Sequence, residues 1–194
     1  MSTGHPVINC EVMTRPDLCL EFANTRYWRG QPMPTETLNS AEDLSAWSAA
    51  NISKEARPLA RREFERAIEL RETVYRVFDA TTRGKVPAAP DLQAMNELLA
   101  ISPTRTTLRR EHSGFAWDVD MRGSTALGQL APVLWSAGDL LTGGKLDKVK
   151  RCANPECGWL FLDDSRAGKR RWCSMQACGN RAKARRHYHK SREP

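Results

Sequence analysis

Four of the six cysteines fall in the last quarter of the chain, and this clustering constrains the fold more than any other feature. Cys152 and Cys157 form one Cys-x4-Cys pair, Cys173 and Cys178 form a second, and 15 residues separate the two pairs. A segment of fewer than about 50 residues seldom buries enough apolar surface to fold unaided. Structural zinc takes four thiolates in a tetrahedron, usually from pairs spaced two to four residues apart. The spacing therefore predicts that a metal holds this segment together.

The four thiols favour one structural Zn²⁺ per chain. Clustered cysteines in a chain that lacks secretory features are more typical of zinc than of disulfides, although an iron–sulfur cluster and redox-active thiols share the pattern. His187 or His189 is an alternative ligand in place of one cysteine. A catalytic zinc is not expected, since four thiolates leave no open coordination position. Without metal, the segment is expected to be largely unfolded.

The sequence between and after the cysteines predicts a zinc knuckle, a hairpin and a helix, which together resemble a treble-clef finger. Gly158–Asp163 and Arg170–Trp172 are expected to pair as the two strands of the hairpin. Ser174 is a suitable N-cap, which places Cys173 and Cys178 at the two positions that approach each other in a hydrophobic staple. The residues available for a small core are Trp159, Phe161 and Trp172.

The net positive charge of the chain comes entirely from the same C-terminal segment. From Lys148 to Pro194 there are 13 Lys/Arg and 4 Asp/Glu, whereas the preceding 147 residues hold 17 and 19, so the net +7 divides into +9 and −2. Such asymmetry favours a polyanionic partner for the C-terminal part alone. A solvated basic tail that aids solubility is the alternative.

A helix over residues 175–192 would carry much of this charge. A helical wheel places Ala177, Ala184 and Tyr188 on one face, which is predicted to pack on the hairpin. The residues predicted to face solvent on the opposite side are Lys183, Arg186 and Lys190. Basic side chains interleaved with Tyr and His are typical of contact with the phosphates of DNA. The residues predicted to bind nucleic acid are Arg170, Arg171, Arg181, Lys183, Arg185, Arg186, Lys190 and Arg192. A solvated helix and an adaptor surface that binds an acidic protein partner are the alternatives.

The first part of the chain is predicted to be a mostly helical domain. Ser40, Ser53 and Asp91 are candidate N-caps for three helices, and apolar spacing predicts another helix over Ser124–Leu141. The stretches predicted to form one β-hairpin are Thr104–Leu108 and Phe115–Val119. The predicted fold class is therefore mainly α with a small β-hairpin, an α+β arrangement. Its two parts are a helical domain at residues 1–146 and a treble-clef-like zinc finger with a basic helix at 147–194.

Composition and motifs argue against several classes of protein. No apolar run reaches the ~18 residues of a membrane span, and the N-terminal MSTGHPVINC lacks the features of a signal peptide. We therefore expect no membrane partner and a cytoplasmic protein whose thiols stay reduced. P-loop, GxGxxG, HExxH and GxSxG strings are absent, so an enzyme is not expected. Cys10 and Cys19 are expected to be inert rather than redox-sensing.

Two strings resemble known families. Cys178-Gly179-Asn180-Arg181, after a Cys-x4-Cys pair and the string WCS, is similar to the CGNR zinc-finger family, which is regarded as DNA-binding because of its charge pattern. The string LCLEFANT at 18–25 is similar to the LxLDFxNT opening of the ABATE domain of stress-induced transcription regulators, with Glu21 where Asp is common. The resemblance implies zinc on the four cysteines and a DNA-binding transcriptional regulator. It leaves open whether Asn180 and Arg181 brace the knuckle or contact bases.

A regulator with a separate helical domain suggests two further expectations, a small-molecule effector and a homodimer. Glu21, Asn24 and Thr25 are the candidates for lining an effector pocket, near Trp28 and Trp47. Roles for these three residues as capping or core polar groups are the alternative.

Overall fold

Helices account for more than half of the structure, a computed structural model that describes residues 15–53, 59–111, 114–119, 125 and 127–190. The helices are α1 (Leu18–Ala23), α2 (Ala41–Asn51), α3 (Arg61–Thr82), α4 (Ala89–Ile101), α5 (Ala131–Thr142) and α6 (Asn180–Lys190). The strands are β1 (Arg26–Tyr27), β2 (Thr35–Glu36), β3 (Thr107–Glu111), β4 (Gly114–Asp118), β5 (Val149–Arg151) and β6 (Leu160–Leu162). The predicted fold class is confirmed.

Each strand pairs antiparallel with its neighbour in sequence, which gives the pairs β1–β2, β3–β4 and β5–β6 among the described residues. The β3–β4 hairpin, in which Leu108 lies opposite Trp117, corresponds to the predicted hairpin, but its first strand begins at Thr107 and not at Thr104. The turn between the strands is expected at 112–114; residues 112 and 113 lie outside the described residues, and Gly114 is the first residue of β4. The helix expected over Ser124–Leu141 is shorter, because a 3₁₀ turn at Leu127–Leu130 precedes α5. No helix within the described ranges is long and apolar enough to cross a membrane.

Local capping fixes where the first long helices begin. The Ser40 hydroxyl accepts the Asp43 N–H at 3.2 Å, and the Asp43 carboxylate accepts the Ser40 N–H at 3.1 Å, so α2 has the capping box that its sequence predicts. Asp91 is not the N-cap that was predicted, since α4 begins at Ala89. The prediction that Ser53 caps α3 is wrong, because α3 begins at Arg61. There the Glu63 carboxylate accepts the N–H of Ala60 at 3.0 Å.

The main core lies where α1, α3 and α5 meet, and it extends into the C-terminal part of the chain. Phe22 of α1, Phe78 of α3 and Val133 of α5 are fully buried within it. Val149 of β5 and Leu160 of β6 belong to the same cluster, with 5% and 1% of their surfaces exposed. The helical part and the cysteine-rich part therefore share one hydrophobic core.

A buried arginine attaches the β1–β2 pair to α3. Arg71 is 1% exposed and binds both carboxylate oxygens of Glu36, at 2.5 and 2.6 Å, and one oxygen of Glu72 at 2.9 Å. Burial alone would raise the pKa of Glu36, but its hydrogen bond and charge interaction with Arg71, together with two backbone N–H groups, lower that pKa below its usual range. The Arg71–Glu36 ion pair fixes β2 to α3, and with it the loop between β1 and β2 that reaches the cysteine cluster.

Candidate metal centre and basic surface

The first two cysteines lie at the closed end of the β5–β6 hairpin. The Cys152 N–H donates to the carbonyl of Trp159 at 2.8 Å, which extends the ladder into the knuckle, and the Cys157 N–H donates to the carbonyl of Asn154 at 3.0 Å. Gly158 then has a φ of +70°, which returns the chain to β6. The predicted knuckle is present, but the predicted hairpin is wrong, since the partner of β6 is β5 and not Arg170–Trp172.

A buried carboxylate brings the second pair of cysteines back to the first. Asp163, 1% exposed, accepts hydrogen bonds from Lys150 Nζ at 2.5 Å, from the Ser165 hydroxyl at 2.5 Å and from the Arg170 N–H at 2.9 Å. The ion pair with Lys150 and the Ser165 hydroxyl bond lower the pKa of Asp163. The loop from 163 to 170 thus folds around the carboxylate of Asp163. After this loop, the Ala153 N–H donates to the carbonyl of Arg171 at 2.9 Å, which joins the chain before Cys173 to the knuckle.

The second pair has the geometry that its sequence predicts. The Ser174 hydroxyl accepts the Ala177 N–H at 3.4 Å, and the following residues, Met175–Gly179, form a π-helical turn before α6. The Sγ atoms of Cys173 and Cys178 are 3.7 Å apart. The side chain of Asn154 in the knuckle donates to Cys178 Sγ at 3.6 Å, which is the polar support that metal-bound thiolates commonly have.

The four sulfurs fit a tetrahedral zinc ion. All four Sγ atoms lie within 4.8 Å of one another, and Cys157 Sγ is 3.7 Å from Cys173 Sγ. A zinc–sulfur bond of about 2.3 Å implies edges of about 3.8 Å between tetrahedral thiolates. Cys152, Cys157 and Cys178 are buried, and Phe161 packs among them. The cysteines are thus the ligands of one structural Zn²⁺, which fixes the knuckle to the start of α6.

Comparison with family models agrees with this geometry. The model described as "Putative stress-induced transcription regulator", ABATE, matches residues 16–144. The chain belongs to the ABATE family. The CGNR zinc-finger model matches residues 148–191, so both resemblances seen in the sequence are confirmed. No curated protein matches the chain significantly.

A loop of the ABATE domain contacts the zinc knuckle directly. The Arg29 N–H donates to the carbonyl of Cys157 at 3.2 Å, and the Gly30 N–H donates to that of Glu156 at 3.1 Å. A β-carbon on Gly30 would lie 2.1 Å from the carbonyl oxygen of Pro155, so only glycine allows this approach. Trp28, with a φ of +56°, packs against the cysteine cluster. The sequence did not identify this loop, since its contacts join positions far apart in the chain.

Two polar side chains of the ABATE domain hold the hairpin from the other side. The Asn24 side-chain amide donates to the carbonyl of Leu160 at 2.7 Å and accepts the Leu160 N–H at 3.0 Å, so it pairs with β6 as a neighbouring strand would. The Tyr75 hydroxyl donates to the carbonyl of Gly158 at 2.8 Å. These contacts and the shared core join the zinc finger to the helical part.

The residues expected to line an effector pocket lie in different surroundings. Glu21 forms an ion pair with Arg15 at the surface. Asn24 is buried against β6, and the buried Thr25 hydroxyl donates to the carbonyl of Phe22 at 2.7 Å. The alternative, that these are capping and core polar groups, accounts for Asn24 and Thr25, and the pocket stays a prediction.

The face of α6 that packs inward is not the predicted one. Ala177 and Ala184 are exposed, and Tyr188 keeps 53% of its surface exposed. The half-buried Ala182 follows Cys178 by four residues and faces the knuckle. The prediction assumed an α-helix from Met175 and placed small residues inward, whereas the metal ligand Cys178 and the π-helical turn set the phase of the observed helix.

Three of the predicted DNA-binding arginines make contacts within the protein. Arg170 lies over the Phe161 ring at 4.4 Å and donates to the carbonyl of Trp172 at 2.9 Å. Arg181 lies over the Trp28 ring at 4.4 Å. The third, Arg185, forms an ion pair with Glu156 of the knuckle at 2.9 Å. Arg181 thus contacts an aromatic ring of the ABATE domain, and the bracing of the knuckle backbone considered for it stays a prediction.

Other basic side chains of the finger remain open to solvent. Arg166, Lys169 and Lys183 are exposed and form no ion pair with any residue that the structure describes, and the exposed Arg171 lies over the Trp172 ring at 5.4 Å. The side chains of Arg186 and Lys190, and all of Arg192, lie outside the described residues, so their DNA contacts stay predictions. Arg166 and Lys169 are not among the predicted DNA-binding residues, most of which lie on the C-terminal helix.

Cys19 has the inert environment that was expected. It is fully buried in α1, and burial raises the pKa of its thiol to about 12, so the reactive thiolate form is disfavoured. Cys10 lies outside the described residues.

Proposed function

We propose that the chain is a DNA-binding transcriptional regulator that carries out no catalysis. The observation that supports it most is a zinc-held finger in which the exposed Arg166, Lys169 and Lys183 have no carboxylate partner among the described residues. Four thiolate ligands leave the metal no position for substrate, so the zinc serves structure alone. The ABATE family and the CGNR finger support a regulator in general.

The phosphate-binding surface that we propose consists of one stripe of α6 and the loop at residues 163–170. Positions 183, 186 and 190 recur at the i, i+3, i+7 spacing of a single helical stripe, and Lys183 is exposed. The loop adds the exposed Arg166 and Lys169. Basic side chains without carboxylate partners can bind DNA phosphates, and so release the counterions of the DNA, without first breaking an ion pair within the protein.

The test measures binding to a random duplex as the salt concentration is varied. The Lys183/Arg186/Lys190→Ala variant should lower the log–log salt slope by up to about 2.7, since each phosphate contact contributes about 0.9. A charge-matched control is the triple alanine variant of exposed basic residues in the helical part, Arg62, Lys85 and Lys145. The control should retain the slope of the unmodified chain.

Two outcomes would reject the proposal or part of it. An unchanged slope in the α6 variant would reject this stripe as the phosphate contact. Absence of duplex binding even at low salt would reject the DNA-binding function, and recovery of an acidic protein on the same surface would then support an adaptor.

A further inference from the structure

A cleft of about 300 Å³ lies between the zinc knuckle and α6, and Lys183 does not line it. Its walls come from two elements that the metal holds together. The side chains that line it include Asn154, Pro155, Arg171, Trp172, Arg181 and Arg185. Because Cys178 also lines the cleft, its shape depends on the metal centre rather than on a flexible loop.

Three arginines line this cleft, and one of them lies next to the carboxylate of Glu156. Arg171 and Arg181 lie over the rings of Trp172 and Trp28, and neither pairs with a carboxylate in the described part of the chain. Arg185 donates to Glu156 Oε1 at 2.9 Å, and this pair is exposed, with 52% and 39% of the two side chains accessible. Three guanidinium groups and one carboxylate leave an excess of two positive charges among these side chains, beside a metal centre of four thiolates and Zn²⁺ whose formal charge is −2.

We propose that this cleft binds a backbone phosphate of DNA and that Glu156 competes with the phosphate for Arg185. The inference deepens the proposed function, on which it rests for the identity of the ligand. Guanidinium groups match the oxygens of phosphate with paired N–H donors. Cation–π contacts with the Trp172 and Trp28 rings position Arg171 and Arg181 without using their N–H donors. The Arg185–Glu156 pair is solvent-accessible and thus weak, so a phosphate can replace the carboxylate.

The volume of the cleft agrees with this ligand. A single phosphate group is smaller than about 300 Å³, which leaves room for the adjoining sugar of a nucleic-acid backbone. Binding there would place the backbone over the knuckle and set the orientation of the finger, the role that phosphate contacts commonly have.

The first arm of the test uses the zinc-loaded full chain and inorganic phosphate, with the indole N–H signal of Trp172 as the readout. Arg171→Gln should weaken phosphate binding about two- to fivefold, and Glu156→Gln should strengthen it by a similar factor, as expected for exposed charge pairs. Lys148→Gln and Asp164→Asn are the charge-matched controls, since both residues are exposed, belong to the same finger and do not line the cleft. Both controls should change the affinity less than the matching cleft variants do.

The opposite directions of the two cleft variants separate binding from structural support. If the Arg185–Glu156 pair serves only to brace the finger, Glu156→Gln will lower the affinity or leave it equal to that of Asp164→Asn, and the inference is overturned. A phosphate titration that leaves the Trp172 signal unchanged overturns it as well. Zinc content is measured for each variant, and Glu156→Ala replaces Glu156→Gln if the latter loses metal.

The second arm repeats the measurement with duplex DNA. Arg171→Gln should lower the log–log salt slope by about 0.9, and Glu156→Gln should tighten binding more than Asp164→Asn does. Failure of the chain to bind any duplex would reject the proposed function and with it the DNA phosphate as ligand, even if inorganic phosphate binds. Duplex binding that responds to the α6 variant but to neither cleft variant would reject the cleft and leave the proposed function in place.

Discussion

Asn24 shows how one side chain can join two parts of a protein that are distant in sequence. Its amide satisfies both backbone groups of Leu160, 136 residues away, in a site where water does not reach. The amide thus does for β6 what a third strand would do. It also gives a physical reason for the asparagine in the ABATE opening motif when a zinc finger follows.

Replacing Asn24 by alanine should therefore lower the free energy of unfolding by about 2–4 kcal/mol, because two buried backbone groups would lose their partners. Chemical denaturation followed by far-UV circular dichroism measures this change. Asn39→Ala, at an exposed asparagine, is the matched control and should remain within about 0.5 kcal/mol of the unmodified chain. Equal effects of the two substitutions would contradict the role given to Asn24.

The carboxylate of Glu36 predicts a loss of stability in acid. Because hydrogen bonds and the charge of Arg71 hold its pKa in the folded state below the ordinary value of 4.5, its contribution is fully present above pH 4.5. It is lost as the pH falls through the lower folded-state pKa. Denaturant titrations between pH 7 and pH 3 should show this loss, and Glu36→Gln should be less stable at pH 7 yet decline less on acidification. An equally steep decline in Glu36→Gln would exclude Glu36 as a source of the pH dependence.

For single residues, the sequence predicts a role best where the residues that act together lie close together in the chain. The spacing of Cys152, Cys157, Cys173 and Cys178 identifies the zinc ligands, because a metal site needs only the right donors at short separations. The roles of Asn24 and Gly30 depend on contacts with the distant knuckle, for which the sequence contains no local signal.

At the scale of elements, the hairpin of the finger shows why the prediction failed in one place. Both β5 and Arg170–Trp172 are short stretches next to cysteines, so alternation of apolar residues could not choose between them as the partner of β6. The choice depends on the core, because Val149 of β5 is buried with Leu160 in the cluster shared with the helical part. The capping box of α2 and the N-cap Ser174 were predicted correctly, since capping involves residues only three positions apart, whereas Ser53 and Asp91 are not N-caps.

This arrangement changes the expected response to metal removal. A strong chelator should expose the backbone amides of the knuckle, of residues 173–179 and of α6, while β5 and β6 keep much of their protection, because the core and Asn24 hold them without metal. Hydrogen exchange followed by mass spectrometry on the full chain measures this pattern. Protection should return when zinc is added back. Loss of protection across the whole of 147–190, including β5 and β6, would instead support a finger that unfolds as one unit.

At the scale of the whole molecule, the ABATE domain and the finger hold one metal centre together. Trp28 packs against the cysteine cluster and also against Arg181 of α6, while the two residues after it bind the knuckle backbone. The sequence divides near residue 146 by charge and by cysteine content, yet neither property reports which surfaces are buried. The shared core and the Trp28–Gly30 loop indicate that the zinc affinity of the finger depends on the helical part.

Gly30→Ala tests this dependence with a single methyl group. The added β-carbon would lie 2.1 Å from the Pro155 carbonyl oxygen and 2.8 Å from Glu156 Cα, so the loop and the knuckle must separate. Loss of such outer support commonly weakens metal binding 10- to 100-fold, and we expect a weakening in that range in competition with a chromogenic zinc chelator. Gly144→Ala is the control, because its β-carbon would meet nothing within 4 Å, and it should bind zinc as the unmodified chain does. If Gly30→Ala lowers stability but leaves zinc affinity unchanged, the helical part supports the fold of the finger without tuning its metal site.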